Sequence, residues 1–119
     1  MAIQRFEQLE VWQEAHKLVL KIYNATRSLP SDQRFGLVSQ MQRAAVSIPA
    51  NIAEGFKRRG RQDKSHFYNI AQASLEELRY YIILCRDLGY KVEHETLSVD
   101  ADRTSRMLHG LVESLKVQR

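Results

Sequence analysis

Residues 40–55 read Gln-Met-Gln-Arg-Ala-Ala-Val-Ser-Ile-Pro-Ala-Asn-Ile-Ala-Glu-Gly, and the rest of the chain is organised around this stretch. It is rich in alanine and isoleucine, as a helix is, although Pro49 lies in its middle. Because the helical pattern resumes after the proline, we expect a helix that is kinked rather than broken there. Five polar residues occupy what should be the buried side of this helix. They are Gln40, Arg43, Ser47, Asn51 and Glu54.

Apolar periodicity predicts four helices of similar length, over residues 7–27, 34–57, 64–88 and 95–117. Pro30 should end the first helix, and Ser31 or Asp32 should cap the second. Gly89 is the predicted C-terminal cap of the third helix. Short loops between such helices favour an all-α fold, an antiparallel up-down-up-down four-helix bundle. We expect residues 1–119 to form one domain of this kind.

Composition and motifs exclude several classes of protein. No signal peptide and no apolar run of about 20 residues is present, so we expect a soluble cytoplasmic protein without a membrane partner. The single cysteine, Cys85, excludes an internal disulfide and a multi-cysteine zinc site, and it is most simply a small core residue. No glutamate has a histidine three residues later, as di-iron bundles require, and no phosphate-binding glycine loop or nucleophile elbow occurs. We therefore predict a protein that is not an enzyme, with no catalytic residue, metal or cofactor.

The polar residues of the opening stretch can be satisfied if the second and third helices are antiparallel. Facing residues then have numbers that sum to about 121, which brings Ser47 near Ser74 and Arg43 near Glu77 or Leu78. We interpret these residues as packing determinants, with Arg43 and Glu77 as a buried ion pair, and a catalytic role is the alternative. The predicted structural signature consists of Gln40, Arg43, Ser47, Pro49, Asn51, Glu54, Gly55 and Glu77.

Two groups of apolar residues indicate contacts between subunits. The apolar arc of the first helix covers about 200°, twice that of a surface helix, which predicts a second burial partner. On the third helix, two large residues point away from the core stripe and would be exposed in a monomer. The predicted oligomer interface consists of Val11, Leu18, Ile22, Tyr80 and Ile83.

Residues 57–64 carry a charge of +4, which equals the formal net charge of the whole chain. Clustered cations bind nucleic-acid phosphates, and the alternative is a solvated loop. The predicted nucleic-acid-binding residues are Lys57, Arg58, Arg59, Arg61 and Lys64. His66 and Tyr68 follow and could stack on bases, although Tyr68 is more often a packing residue.

The up-down topology places both chain termini at the same end as residues 57–64. Arg5, Lys116 and Arg119 should join the five cations there. The opposite end should collect carboxylates, which would make the bundle electrically bipolar. These carboxylates are Asp32, Asp87, Glu93, Glu95, Asp100 and Asp102.

The run Arg-Ala-x-x-Ser-Ile-x-x-Asn-Ile-Ala-Glu-Gly that ends at Gly55, followed by Ser74-Leu75 and Glu77-Leu78, carries a resemblance to a known family. The chain resembles, over nearly its whole length, the four-helix-bundle proteins encoded in intervening sequences of bacterial large-subunit rRNA genes. That family includes the accessory variability protein of diversity-generating retroelements. The resemblance implies a homopentamer with a basic surface, and in the retroelement branch an RNA and a reverse transcriptase as partners.

The sequence therefore predicts a non-enzymatic, homo-oligomeric helical bundle. Its basic end, centred on residues 57–64, would bind structured RNA or DNA as an accessory protein. The alternative is a protein–protein adaptor or scaffold with no nucleic-acid role, whose charges only keep it in solution.

Overall fold

The computed structural model describes residues 2–116, and four long helices account for most of them. These are α1 (Glu10–Thr26), α2 (Ser39–Lys57), α3 (Arg61–Asp87) and α4 (His94–Lys116). A 3-10 turn, Phe6–Gln8, precedes α1. The described residues contain no strand, so the predicted all-α class is confirmed. Val117, the predicted last residue of the fourth helix, and Arg119 lie outside the described residues.

Side-chain contacts between helices define how the bundle is arranged. Lys21 pairs with Asp100 and Glu14 with Arg103, so α1 and α4 run in opposite directions. α2 and α3 form the most extensive helix pair, and α4 packs on both α3 and α1. A ring of four helices results, in which every helix contacts two others.

The polar pairing predicted between α2 and α3 is present at its centre. The hydroxyl oxygens of Ser47 and Ser74 lie 2.7 Å apart, at the predicted register. The Asn51 amide donates to the Ser47 hydroxyl at 3.0 Å and to the Ser47 carbonyl at 2.8 Å. Because these side chains are short and bond to one another, the two helices can approach closely here.

The predicted buried ion pair of Arg43 and Glu77 is wrong, because both residues are exposed. The face of α2 that enters the core is instead a small apolar stripe of Met41, Ala44, Ala45, Ile48 and Ile52. Burying an arginine and a glutamate would cost several kcal/mol per ion before their attraction is counted. The helix is therefore rotated so that its polar residues lie along the edge beside α3, with Gln40 and Glu54 also exposed.

The subunit contacts predicted for three residues of α1 are wrong, because these residues are buried within the chain itself. Val11, Leu18 and Ile22 expose at most 5% of their surface, because α1 packs against both α2 and α4. The second burial partner that its broad apolar arc indicated is a helix of the same chain. On α3, by contrast, Tyr80 and Ile83 are 56% and 44% exposed.

The connections depart from the prediction at one end of α2 and agree with it at the end of α3. Ser31 and Asp32 do not cap α2, because a 3-10 turn (Ser31–Gln33) and a π-type turn (Arg34–Val38) run directly into it. α2 continues through Pro49, which is buried. Gly89 ends α3 as predicted, with a φ of 77°. The N–H groups of Gly89 and Tyr90 donate to the carbonyls of Arg86 and Cys85, which is a Schellman motif.

Candidate nucleic-acid interface

One end of the bundle gathers cations from four parts of the chain. Here α2 ends, α3 begins and α4 ends, and Arg61 of α3 donates to the carbonyl of Leu115 on α4 at 3.3 Å. The segment before α1 lies against the last turns of α2. We call this region the basic end; its cations are Arg5, Lys57, Arg58, Arg59, Arg61, Lys64 and Lys116.

The connection between α2 and α3 is shorter than predicted. α3 begins at Arg61, three residues earlier than expected, with Gly60 as its N-cap. Only residues 58–60 therefore link the two helices. Arg61 and Lys64 project from the first turn of a helix, so the helix backbone limits where their side chains can reach.

The cations of the basic end differ in how far the chain already neutralises them. Lys57 and Arg59 are exposed and form no salt bridge within residues 2–116. Arg58 pairs with Glu54 at 3.3 Å and places its guanidinium 4.6 Å from the centre of the Phe67 ring. Two pairs at the edge of the region, Arg5–Glu7 and Lys116–Glu113, have N–O distances of 2.8 and 2.9 Å. Lys57 and Arg59 are thus the predicted residues best placed to meet a phosphate.

Lys64 has a structural role that the sequence prediction missed. Its ammonium donates to the carbonyl oxygens of Phe56 and Gly55, at 2.8 and 3.2 Å, and so caps the C-terminus of α2. The same ammonium lies 5.5 Å from the centre of the Phe56 ring. Partial burial lowers the pKa of Lys64. The ammonium of Lys64 is therefore already engaged within the chain, and its role in binding nucleic acid stays a prediction.

Of the two aromatic candidates for base stacking, the structure removes one. Tyr68 is only 2% exposed, and its ring packs directly over Gly55 of α2. Burial raises the pKa of Tyr68 to about 12. His66 remains exposed, with its ring edge-on to Phe67 at a centroid distance of 5.1 Å.

A cleft that the sequence did not predict opens between the first turns of α3 and the last turns of α4. We call it the α3–α4 cleft; its volume is about 540 Å³, and its lining residues are Arg61, Gln62, Ser65, His66, Asn69, Val112, Leu115 and Lys116. The α3 residues among them recur every three or four positions, which is a signal of one helix face. Only the register of α3 against α4 brings Val112 and Leu115 beneath that face.

The bundle is not electrically bipolar as predicted. Asp100 is buried and pairs with Lys21 and Arg103, while Asp102 pairs with Arg79. The other four carboxylates do lie towards the opposite end, but four cations of the same segments accompany them. These are Arg27, Arg34, Arg86 and Lys91. That end is therefore close to neutral, and the local excess of positive charge is at the basic end.

Two other kinds of feature, a metal site and a membrane span, are absent from residues 2–116. No group of three His, Cys, Asp or Glu side chains there could hold a metal ion. None of the helices in that range is long and apolar enough to cross a membrane. Cys85 is fully buried, as predicted, with its sulfur 3.6 Å from the Met41 sulfur, and burial raises the pKa of its thiol.

Comparisons with known proteins agree with this architecture. The sequence model of a family described as 23S rRNA-intervening sequence protein matches residues 7–110. A similar solved structure is a protein of unknown function from the S23 ribosomal protein family of Bacteroides thetaiotaomicron VPI-5482. It is 24% identical, with a TM-score of 0.79 over 87% of this chain and 95% of that one, a likeness that shows the fold. No curated protein matches the chain significantly.

Proposed function

This chain belongs to the 23S rRNA-intervening sequence protein family, and from that premise we propose a non-enzymatic, homo-oligomeric bundle whose basic end binds structured RNA or DNA. One observation carries the proposal. Four separate segments bring seven cations to one end, where Lys57 and Arg59 are exposed and have no ion-pair partner within residues 2–116. Exposed arginine and lysine side chains bind phosphates and release counterions, so binding should weaken steeply as salt rises.

Assembly would strengthen this interaction. Copies of the basic end on one face of an oligomer would sum their electrostatic fields, which a single bundle with a few unpaired cations cannot match. Exposed Tyr80 and Ile83 support such an assembly. The subunit number that we propose is the five implied by the family resemblance.

The most direct test reverses the charge of the two exposed cations that form no salt bridge within residues 2–116. Lys57→Glu with Arg59→Glu should weaken binding of a structured RNA hairpin at low salt by tenfold or more, and should reduce the salt slope. The matched control reverses two exposed cations at the opposite end, Arg27→Glu with Lys91→Glu, and should change the affinity less than threefold. Fluorescence anisotropy measures both.

Two outcomes would count against the proposal. If the intact oligomer does not bind the hairpin or a DNA duplex at low salt, the nucleic-acid role is wrong. If the control variant loses as much affinity as the test variant, net charge rather than the basic end governs binding.

The adaptor function is the second candidate, and the exposed apolar side chains of Tyr80 and Ile83 favour it. It would place a different protein, rather than another copy of this chain, against α3. Recovery of one protein partner at fixed stoichiometry after nuclease treatment, together with no hairpin binding, would replace the proposed function by this one.

A further inference from the structure

The α3–α4 cleft has a shape and lining that phosphate binding alone does not require. We propose that it binds one unpaired nucleotide of the nucleic acid held by the basic end, an inference that rests on the proposed function. The cleft would thus make the protein prefer unpaired segments, such as loops, bulges and single strands, over uninterrupted duplex.

The composition of the cleft fits a base with a phosphate beside it. The half-buried Val112 supplies apolar surface on which a flat ring can lie, with the buried Leu115 beneath it, while Arg61 and Lys116 provide positive charge. None of the eight lining residues is a carboxylate, although Glu113 and Asp63 are close in sequence. The volume of about 540 Å³ lies within the roughly 300–1,000 Å³ of small-molecule sites.

Polar side chains of α3 supply groups that can read a base edge. Gln62 and Asn69 are exposed amides, and an amide both donates and accepts hydrogen bonds, as base edges do. Ser65 adds a hydroxyl between them, and the exposed ring of His66 offers a surface for stacking. These four residues lie within eight positions of one helix, which is about 10 Å at 1.5 Å per residue.

The charges around the cleft permit an anion to enter. Lys116 pairs with Glu113, but the lysine is well exposed, and such a surface pair is readily exchanged for another partner. Arg61 donates one N–H to the Leu115 carbonyl, which holds its guanidinium across the two helices.

An unpaired nucleotide fits this concave site better than a duplex does. Paired bases hide their faces in the stack, and a duplex presents mainly phosphates and sugars, which could reach the cations but not Val112. Unpaired bases can leave the strand, stack on side chains and expose their edges for hydrogen bonding. The exposed Lys57 and Arg59 would bind either form, so the cleft is what would discriminate between them.

The test compares two probes and two variants of the full-length oligomer. The probes are a 12-nucleotide uridine-rich RNA and a blunt 12-base-pair RNA duplex, each fluorescently labelled and measured at the same salt concentration. The cleft variant, Gln62→Glu with Asn69→Asp, changes two exposed amides to carboxylates of similar size and should leave the fold intact. The control variant, Asn24→Asp with Thr96→Glu, adds the same charge at exposed positions of the opposite end.

We expect the cleft variant to lose at least tenfold in affinity for the single strand and less than threefold for the duplex. The control should lose less than threefold for both. His66→Ala, which adds no charge, should weaken only single-strand binding, by about two- to fivefold. Circular dichroism and light scattering should be unchanged for every variant.

The results separate failure of this inference from failure of the proposed function. If the unmodified protein binds neither probe, the proposed function is wrong and the cleft has no nucleic-acid ligand. If both probes bind but the cleft variant weakens them equally, or weakens neither, the inference is overturned while the proposed function stands.

Discussion

At the scale of single residues, Gly55 shows why the opening stretch ends as it does. It lies inside α2, has helical geometry and is buried. A Cβ at this position would lie 2.5 and 2.7 Å from two ring carbons of Tyr68. The glycine is therefore required by the close approach of α3, and not by a turn or by an unusual backbone angle.

This geometry predicts opposite effects for two glycine-to-alanine substitutions. Alanine is normally the better helix residue by about 1 kcal/mol. Gly55→Ala should nevertheless destabilise the fold by about 1–3 kcal/mol, because the buried Tyr68 ring cannot move aside without disturbing the core. A Cβ added at Gly110, within α4, has no neighbouring atom within 4 Å. Gly110→Ala should therefore stabilise the fold by about 0.5–1 kcal/mol.

Urea unfolding of the three proteins, with equal m-values, measures both effects. In a Tyr68→Ala background the cost of Gly55→Ala should shrink towards zero, which isolates the steric contact. Equal stability of Gly55→Ala and the unmodified protein would contradict the packing that we describe.

At the scale of elements, the junction of α2 and α3 is held by Lys64. The last carbonyls of a helix have no partner within it and carry partial negative charge. The Lys64 ammonium bonds two of these carbonyls from the first turn of the next helix. This contact stabilises a connection of only three residues and aligns the beginning of α3 with the end of α2.

Lys64→Met should reveal this cap, because methionine keeps most of the apolar stem and removes the ammonium. We expect a loss of about 1–2 kcal/mol in the free energy of unfolding, since two charge-assisted hydrogen bonds disappear. Lys17→Met, at an exposed position of α1, is the matched control and should change stability by less than about 0.5 kcal/mol.

Chemical denaturation and the RNA-binding assay together decide what Lys64 does. If Lys64→Met keeps its stability but loses RNA affinity, Lys64 is a phosphate ligand and not a helix cap. Lost stability with affinity changed less than threefold supports the cap.

At the scale of the whole molecule, Val11, Leu18 and Ile22 of α1 are buried within the bundle, and α3 retains exposed apolar side chains. Tyr80 and Ile83 therefore carry what remains of the predicted subunit interface. The exposed polar edge of α2 meets α3 at the Ser47–Ser74 contact, on a different side of α3. Assembly through α3 would leave the basic end of each subunit accessible to a ligand.

Tyr80→Asp with Ile83→Asp should break the oligomer, because two charges would have to be buried without partners at the interface. Light scattering should then fall from about five times the chain mass of 13.9 kDa towards that mass itself. Leu20→Asp with Val99→Asp changes equally exposed apolar residues of α1 and α4 and should leave assembly intact. If the unmodified protein is a monomer, the proposed interface is wrong. It is also wrong if the Tyr80→Asp, Ile83→Asp variant still assembles.

The order of the four helices, the all-α class and the pairing of Ser47 with Ser74 could be predicted from the sequence. Local periodicity determines which residues can share a helix face, and short loops restrict consecutive helices to antiparallel packing. Gly89 and Cys85 were predicted correctly for similar reasons, since a helix stop and a stripe position are local features of the chain.

Only the tertiary structure decided how each helix is rotated and which charges are already paired. Periodicity made both the alanine stripe and the polar residues of α2 candidates for the core, and the cost of burying Arg43 selected the alanines. Val11, Leu18 and Ile22 were predicted to contact another subunit, but helices of the same chain bury them, because their burial depends on how all four helices pack. Residues 40–55 by themselves determine a helix with two kinds of face, and the packing of α3 against α2 determines which face is core and which is surface.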